Sequence, residues 1–114
     1  MPRRRAGVLL PIEDQILTIG LERDADGSPE FHGFALADQL TKADPRRLLG
    51  HGTLYKALAR LEREGLLVSR WEEIDSAAEG RPRRRLYRVT ASASGALAHS
   101  RQLQAPRATR LALS

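Results

Sequence analysis

The sequence predicts an α+β fold, mainly helical: three short helices, a two-stranded hairpin and a last helix. Three observations predict it. Before Gly65, apolar residues recur at spacings of three and four in three separate runs, the period of a helix with one buried face. After Gly65 the period shortens to two, over Leu67–Trp71 and again over Arg84–Thr90, as in strands. From Ala91 to about Gln104 the spacing is helical again. At 114 residues the chain is close to the commonest size of a single domain, long enough for one modest core.

The first helix is expected over Leu9–Leu21, where Ile12, Ile16, Leu17 and Ile19 fall on one side and Gly20 stands near the end. Asp24 to Pro29 is dense in turn formers and reads as a loop. Its Asp24, Asp26 and Ser28 imitate the start of a calcium loop. Pro29 stands where the sharp-turn glycine belongs and Ala35 where the bidentate glutamate belongs, so no calcium site is expected. The second helix runs from His32 to Thr41 on Leu36, Ala37 and Leu40. Pro45 disfavours helix at Asp44 and ends it. After Leu48 and Leu49, Gly50 and Gly52 with His51 between them read as a turn feeding the next helix, His51 being a turn residue or phosphate donor. Thr53 is the expected N-cap of the third helix, whose Leu54, Leu58 and Leu61 lie at i, i+4 and i+7 and whose natural stop is Gly65. In the hairpin, Leu67, Ser69 and Trp71 share one face of the first strand and Tyr87 and Val89 one face of the second, joined by a polar, Gly/Pro-punctuated loop from Ile74 to Pro82. Trp71 is expected to seat the hairpin against the third helix. Thr90 is expected to cap the last helix, whose apolar face of Ala93, Ala96, Leu97 and Leu103 is thin.

Composition narrows the function. With no Cys, disulfide scaffolds, thiol catalysis and Cys-ligated zinc are excluded. His32, His51 and His99 are widely spaced and form no metal-binding pair, there is no Gly-x-Ser-x-Gly elbow, and the adjacent acids Glu13-Asp14 and Glu72-Glu73 read as solvated. No enzyme, metal or cofactor is expected. No apolar run spans a bilayer, and Pro11, Glu13 and Asp14 interrupt any signal-like segment behind the N-terminal arginines, so no secretory signal is expected. The net charge is +5, the pI is near 10.7, and Lys42 and Lys56 are the sole lysines. Arginine forks suit phosphates and guanine edges, although GC-rich coding also enriches Arg, so its distribution decides.

The distribution is uneven. Arg81, Arg83, Arg84, Arg85 and Arg88 crowd the hairpin, a self-repelling cluster without an anionic partner. Lys56, Arg60 and Arg63 accompany Tyr55 on the face of the third helix opposite its leucines. Three helices, a two-stranded wing and a C-terminal helix are the layout of a winged helix-turn-helix. One helix in the major groove with a basic wing on the flanking backbone is a coherent pair of DNA contacts.

Gly52-Thr53-Leu54-Tyr55-Lys56-Ala57-Leu58, continuing Arg60-Leu61-Glu62-Arg63-Glu64-Gly65-Leu66-Leu67, closely resembles the recognition helix of PadR-like transcriptional regulators. Gly80-Arg81-Pro82-Arg83-Arg84-Arg85 with Leu86-Tyr87-Arg88-Val89-Thr90 resembles that family's wing, and His32-Gly33-Phe34-Ala35-Leu36 the opening of its second helix. The resemblance covers about residues 9–104. It implies a bacterial, cytoplasmic, dimeric repressor on an inverted-repeat operator, dimerising through its first and last helices, in some members with a small-molecule effector. No aromatic follows Tyr87, so no stacking pocket is expected on the last helix.

The expected organisation is a basic arm (1–8), a DNA-binding domain (9–90), a dimerisation helix (91–104) and a frayed tail (105–114). The expected DNA-contacting residues are Thr53, Tyr55, Lys56, Arg60, Arg81, Arg83, Arg84 and Arg85. The rival class is a winged-helix protein-interaction module that binds no specific DNA. A double-stranded RNA or architectural DNA binder is a further rival. A gel shift on random DNA under rising salt separates them.

Overall fold

The computed structural model describes residues 6–46 and 50–105; the expectations for Arg3 to Arg5 of the basic arm, for Leu48 and Leu49, for the His51 side chain and for the tail from Pro106 lie outside them. The elements are α1 (Pro11–Ala25), β1 (Phe31–His32), α2 (Gly33–Ala43), α3 (His51–Arg63), β2 (Leu67–Trp71), α4 (Ser76–Glu79), β3 (Arg85–Val89) and α5 (Ala93–Gln104). The predicted three helices, hairpin and last helix are all present.

Pro11 opens α1, where its missing N–H costs nothing. Glu13 reaches back so that its Oε1 accepts the Leu10 N–H at 2.7 Å. The helix does not stop at Gly20. It ends in a Schellman motif, with left-handed Gly27 (φ 81°), Gly27 N–H donating to Asp24 O at 3.2 Å and Ser28 N–H to Arg23 O at 3.0 Å. Asp24 and Ala25, expected in the loop, therefore belong to the helix. Gly65 closes α3 in the same way (φ 77°), Leu66 N–H donating to Leu61 O at 2.9 Å, as its position predicts.

Gly20 has a packing reason. A Cβ built there would lie 2.5 Å from Val89 Cγ1, so α1 approaches β3 more closely than any side chain allows. Gly95, inside α5, has open space around it. Alanine is a better helix former than glycine by roughly 1 kcal/mol, so the two substitutions are expected to have opposite signs. Gly95→Ala should stabilise by up to about 1 kcal/mol, and Gly20→Ala should destabilise by about 1–3 kcal/mol through overpacking. Urea midpoints of the two variants check this.

The sheet has three strands in the order β1-β3-β2, all antiparallel. The hairpin pairs Leu67 with Val89 and Trp71 with Arg85. The additional strand, β1, pairs Phe31 with Tyr87 and His32 with Leu86, and the Phe31 and Tyr87 rings stack at 6.2 Å. Ile16, Leu17, Phe31, Leu36, Leu40, Leu54, Leu58, Leu61, Leu67 and Ala93 are buried together in one core.

Two predicted caps are corrected. α3 starts at His51, with extended Gly50 as its N-cap, so Thr53 is an exposed residue of the first turn. Thr90 does not cap α5. Its Oγ1 donates to Gly65 O at 2.6 Å and its N–H to Leu66 O at 3.0 Å, fastening the exit of β3 to the turn after α3. α5 is held to α1 by Arg101, whose guanidinium donates to Asp14 at 3.0 and 2.9 Å, and to the segment before α1 by Leu9 N–H donating to Ser100 Oγ at 2.8 Å.

Candidate nucleic-acid interface

α3 buries Leu54, Ala57, Leu58 and Leu61 and turns Thr53, Tyr55, Lys56 and Arg63 to solvent. Two clefts flank this ridge. On one side Tyr55 meets the start of α2 (His32, Gly33 and Phe34), and the wing closes the cleft with Trp71, Arg83, Arg84 and Arg85. On the other, Thr53, Lys56, Arg60 and Arg63 face Leu10, Ile12 and Glu13 at the start of α1. The fold thus brings Tyr55 to three of the wing arginines and sets Thr53, Lys56 and Arg63 on the opposite flank of the same helix. Tyr55 itself packs on Gly33: a Cβ at Gly33 would lie 2.9 Å from the Tyr55 hydroxyl.

The basic residues are not equivalent. Among the described residues, Lys56, Arg63 and Arg84 have no carboxylate within ion-pair distance. Arg83 donates from its Nε to Ile74 O at 3.2 Å. Arg85 lies across the Trp71 ring at 5.4 Å, donates to Ser69 Oγ at 2.9 Å and has Glu62 at 3.8 Å. Arg81 is different: it makes a fork on Glu72, at 2.7 and 3.2 Å, and Glu72 also accepts the Arg84 backbone N–H at 2.9 Å. The Arg81 guanidinium, then the Arg84 N–H, hold the Glu72 carboxyl down to about 2. Arg81 and Glu72 together staple the wing loop, which also carries the unpredicted helix α4 with Asp75 as its N-cap.

Arg60 is likewise turned inward. Its Nε lies 2.9 Å from Oε2 of Glu13 and its Nη1 3.1 Å from Glu64. Glu13 is 1% exposed, which corrects the expectation of a solvated acid. On α3, Arg60 sits close to the edge of the buried face, one turn beyond Lys56, so it reaches α1 rather than the outward side.

Trp71 is the other correction. It is 55% exposed and not in the core, because it opens into the cleft shared with Tyr55, where the Arg85 guanidinium lies over its ring. Phe34 is 75% exposed and Tyr55 49%. Sequence patterning overlooked His32, Phe34 and Trp71 as lining residues. The available signal was Phe34, a large apolar residue off the Leu36–Leu40 stripe of its own helix.

His32 links this cleft to pH. Its Nδ1 accepts the Ala35 N–H at 3.2 Å, capping α2, which requires the neutral ring. Burial, then the Arg84 charge, push its pKa below the usual 6.5. The unfolded chain therefore takes up a proton that the folded chain refuses. Stability should be full above about pH 6.5 and fall as pH drops from there toward the lowered folded value. His32→Asn keeps a cap acceptor and should remove this part of the pH dependence, read from urea midpoints against pH.

A helical body with an outward third helix beside a basic hairpin defines the winged helix-turn-helix class. Within it, the chain belongs to the transcriptional regulator PadR-like family, whose model matches residues 27–99. It is 40% identical over 73 residues to the "Transcriptional regulator Rv3488" of Mycobacterium tuberculosis (strain ATCC 25618 / H37Rv), covering 64% of this chain and 62% of that protein. The match thus spans somewhat less than two thirds of the relative's length. The fold is similar to that of a transcriptional regulator from Clostridium thermocellum, at TM-score 0.65 and 22% identity, over 90% of this chain and 85% of that one. It is also similar to a PadR family transcriptional regulator from Eggerthella lenta DSM 2243, at TM-score 0.61 and 27% identity, over 82% and 70%. Among the described residues no helix is long and apolar enough to cross a membrane.

Proposed function

We propose that this protein is a cytoplasmic bacterial repressor that binds double-stranded DNA as a homodimer at an inverted repeat. The observation that carries the reading is the set of cations without acidic partners on one side of the fold: Lys56 and Arg63 on α3, Arg84 on the wing, with Arg83 beside it. α3 enters the major groove, where Thr53, Tyr55 and Lys56 meet base edges or the adjoining backbone. Arg83 and Arg84 hold phosphate, with Arg85, which lies over Trp71 and near Glu62, beside them. Arg60 and Arg81, spent on Glu13 and Glu72, are assigned to the scaffold instead. Support for the dimer comes from α1 and α5, which lie side by side, with Ile19 and Leu21 of α1 only half-buried. No effector is assigned.

Selection of bound duplexes from a random pool tests this reading. An enriched sequence with two half-sites related by inversion is expected. Lys56→Ala should then lower the ratio of specific to non-specific affinity, by about 1–3 kcal/mol for a good base contact. Recovery of no enriched sequence, with no gel shift at low salt, would favour a protein-interaction module.

A further inference from the structure

We propose that the cleft between the start of α2 and the wing binds a nucleotide unit with an unpaired base, the ring stacking on Phe34 and Trp71 and its phosphate on Arg83 and Arg84. This rests on the reading that this face meets nucleic acid, and it extends that reading from duplexes to single-stranded or free nucleotides. The cleft has a volume of about 390 Å³, the size of a small-molecule site. Three of the largest exposed apolar side chains of the described residues, Phe34, Tyr55 and Trp71, converge on it. These rings are left 49–75% in water and are not part of the core, where Phe31 and Tyr87 stack instead.

Aromatic platforms in a basic groove are the common solution for unpaired bases, because every base has a stacking face and every nucleotide a phosphate. Phosphate binding alone would need only the arginines. Arg85, lying over Trp71, holds that ring in place and leaves Arg83 and Arg84 for the anion. The same residues form the wing side of the proposed duplex surface, so an unpaired strand and a duplex compete for it.

Trp71 is the sole tryptophan, so its fluorescence reports on the cleft without a label. The full chain is titrated with an oligothymidylate of about eight nucleotides, with thymidine monophosphate and with inorganic phosphate, while a gel shift follows a random duplex. Saturable quenching by the oligothymidylate or the monophosphate, but not by phosphate, is the expected result. A much tighter oligothymidylate identifies a single strand as the source; equal affinities identify the free nucleotide. Phe34→Ala, at an exposed position, should weaken this binding about fivefold or more, and Val68→Ala, on the far face of β2, should leave it unchanged. Equal quenching by phosphate, no quenching, or an unaltered affinity in Phe34→Ala would each overturn the proposal. Duplex binding without quenching by either nucleotide leaves the function above standing and removes only this inference.

Discussion

Replacing Arg83 and Arg84 together with alanine is expected to weaken binding to every duplex alike and to flatten the dependence of log affinity on log salt by about 0.9 for each phosphate no longer neutralised. The physical reason is counterion release. A wing cation on a phosphate displaces condensed ions whatever the sequence, so its removal lowers specific and non-specific affinity in parallel. Arg84 is the cleaner probe, because its side chain is exposed and only its backbone N–H belongs to the wing staple. Arg83 also fastens the loop through Ile74 O, so Arg83→Ala adds some loss of wing order. Titration of one operator and one random duplex at several salt concentrations checks the prediction. An unchanged slope with selective loss of the operator would mean that the wing reads sequence, and the roles of wing and α3 would have to be exchanged.

Glu13→Ala is expected to be among the most damaging single changes outside the apolar core, at about 2–3 kcal/mol. Breaking a fully buried ion pair by removing one partner costs about 3–5 kcal/mol. Here the Arg60 side chain is 29% exposed and keeps Glu64, which places the loss at or below the low end of that range. The Leu10 N–H loses its acceptor at the same time. Glu13→Met combined with Arg60→Met should recover much of the stability, since two apolar side chains of similar length leave no buried charge behind. Urea melts of both variants at constant m-value measure this. If Glu13→Ala melts like the parent chain, the pair does not hold α1 against α3.

Most of the scaffold was legible from residues alone. The leucines of α3 recur over enough turns to declare a helix, Gly65 stands where only a left-handed residue closes it, and the change of period to two marks the hairpin. The two-residue strand β1 was not legible, because alternation needs more than two positions. Nor was the Schellman end of α1 at Gly27, since Asp24 and Ala25 read equally well as loop until their hydrogen bonds are seen. The candidate site divides in the same way. Tyr55, Lys56 and Arg84 could be picked by charge and helical phase. Arg60 and Arg81 could not be told from them, because a sequence shows a cation without its partner.

The sequence by itself determined the order of the main helices and the hairpin and the basic character of two separated elements, because these depend on local periodicity and composition, while the motifs around Gly52-Thr53-Leu54-Tyr55 and the wing carried the resemblance to the family. Only the tertiary structure decided which charges are free. Glu13 and Arg60 are 47 residues apart in the chain and Glu72 and Arg81 are nine, and each pair exists because packing brings the two groups within 3 Å. It decided also that Trp71 faces the cleft rather than the core, since alternation gives a strand residue its face but not what packs against that face. Burial and ion pairing belong to the assembled surface, and no local pattern encodes them.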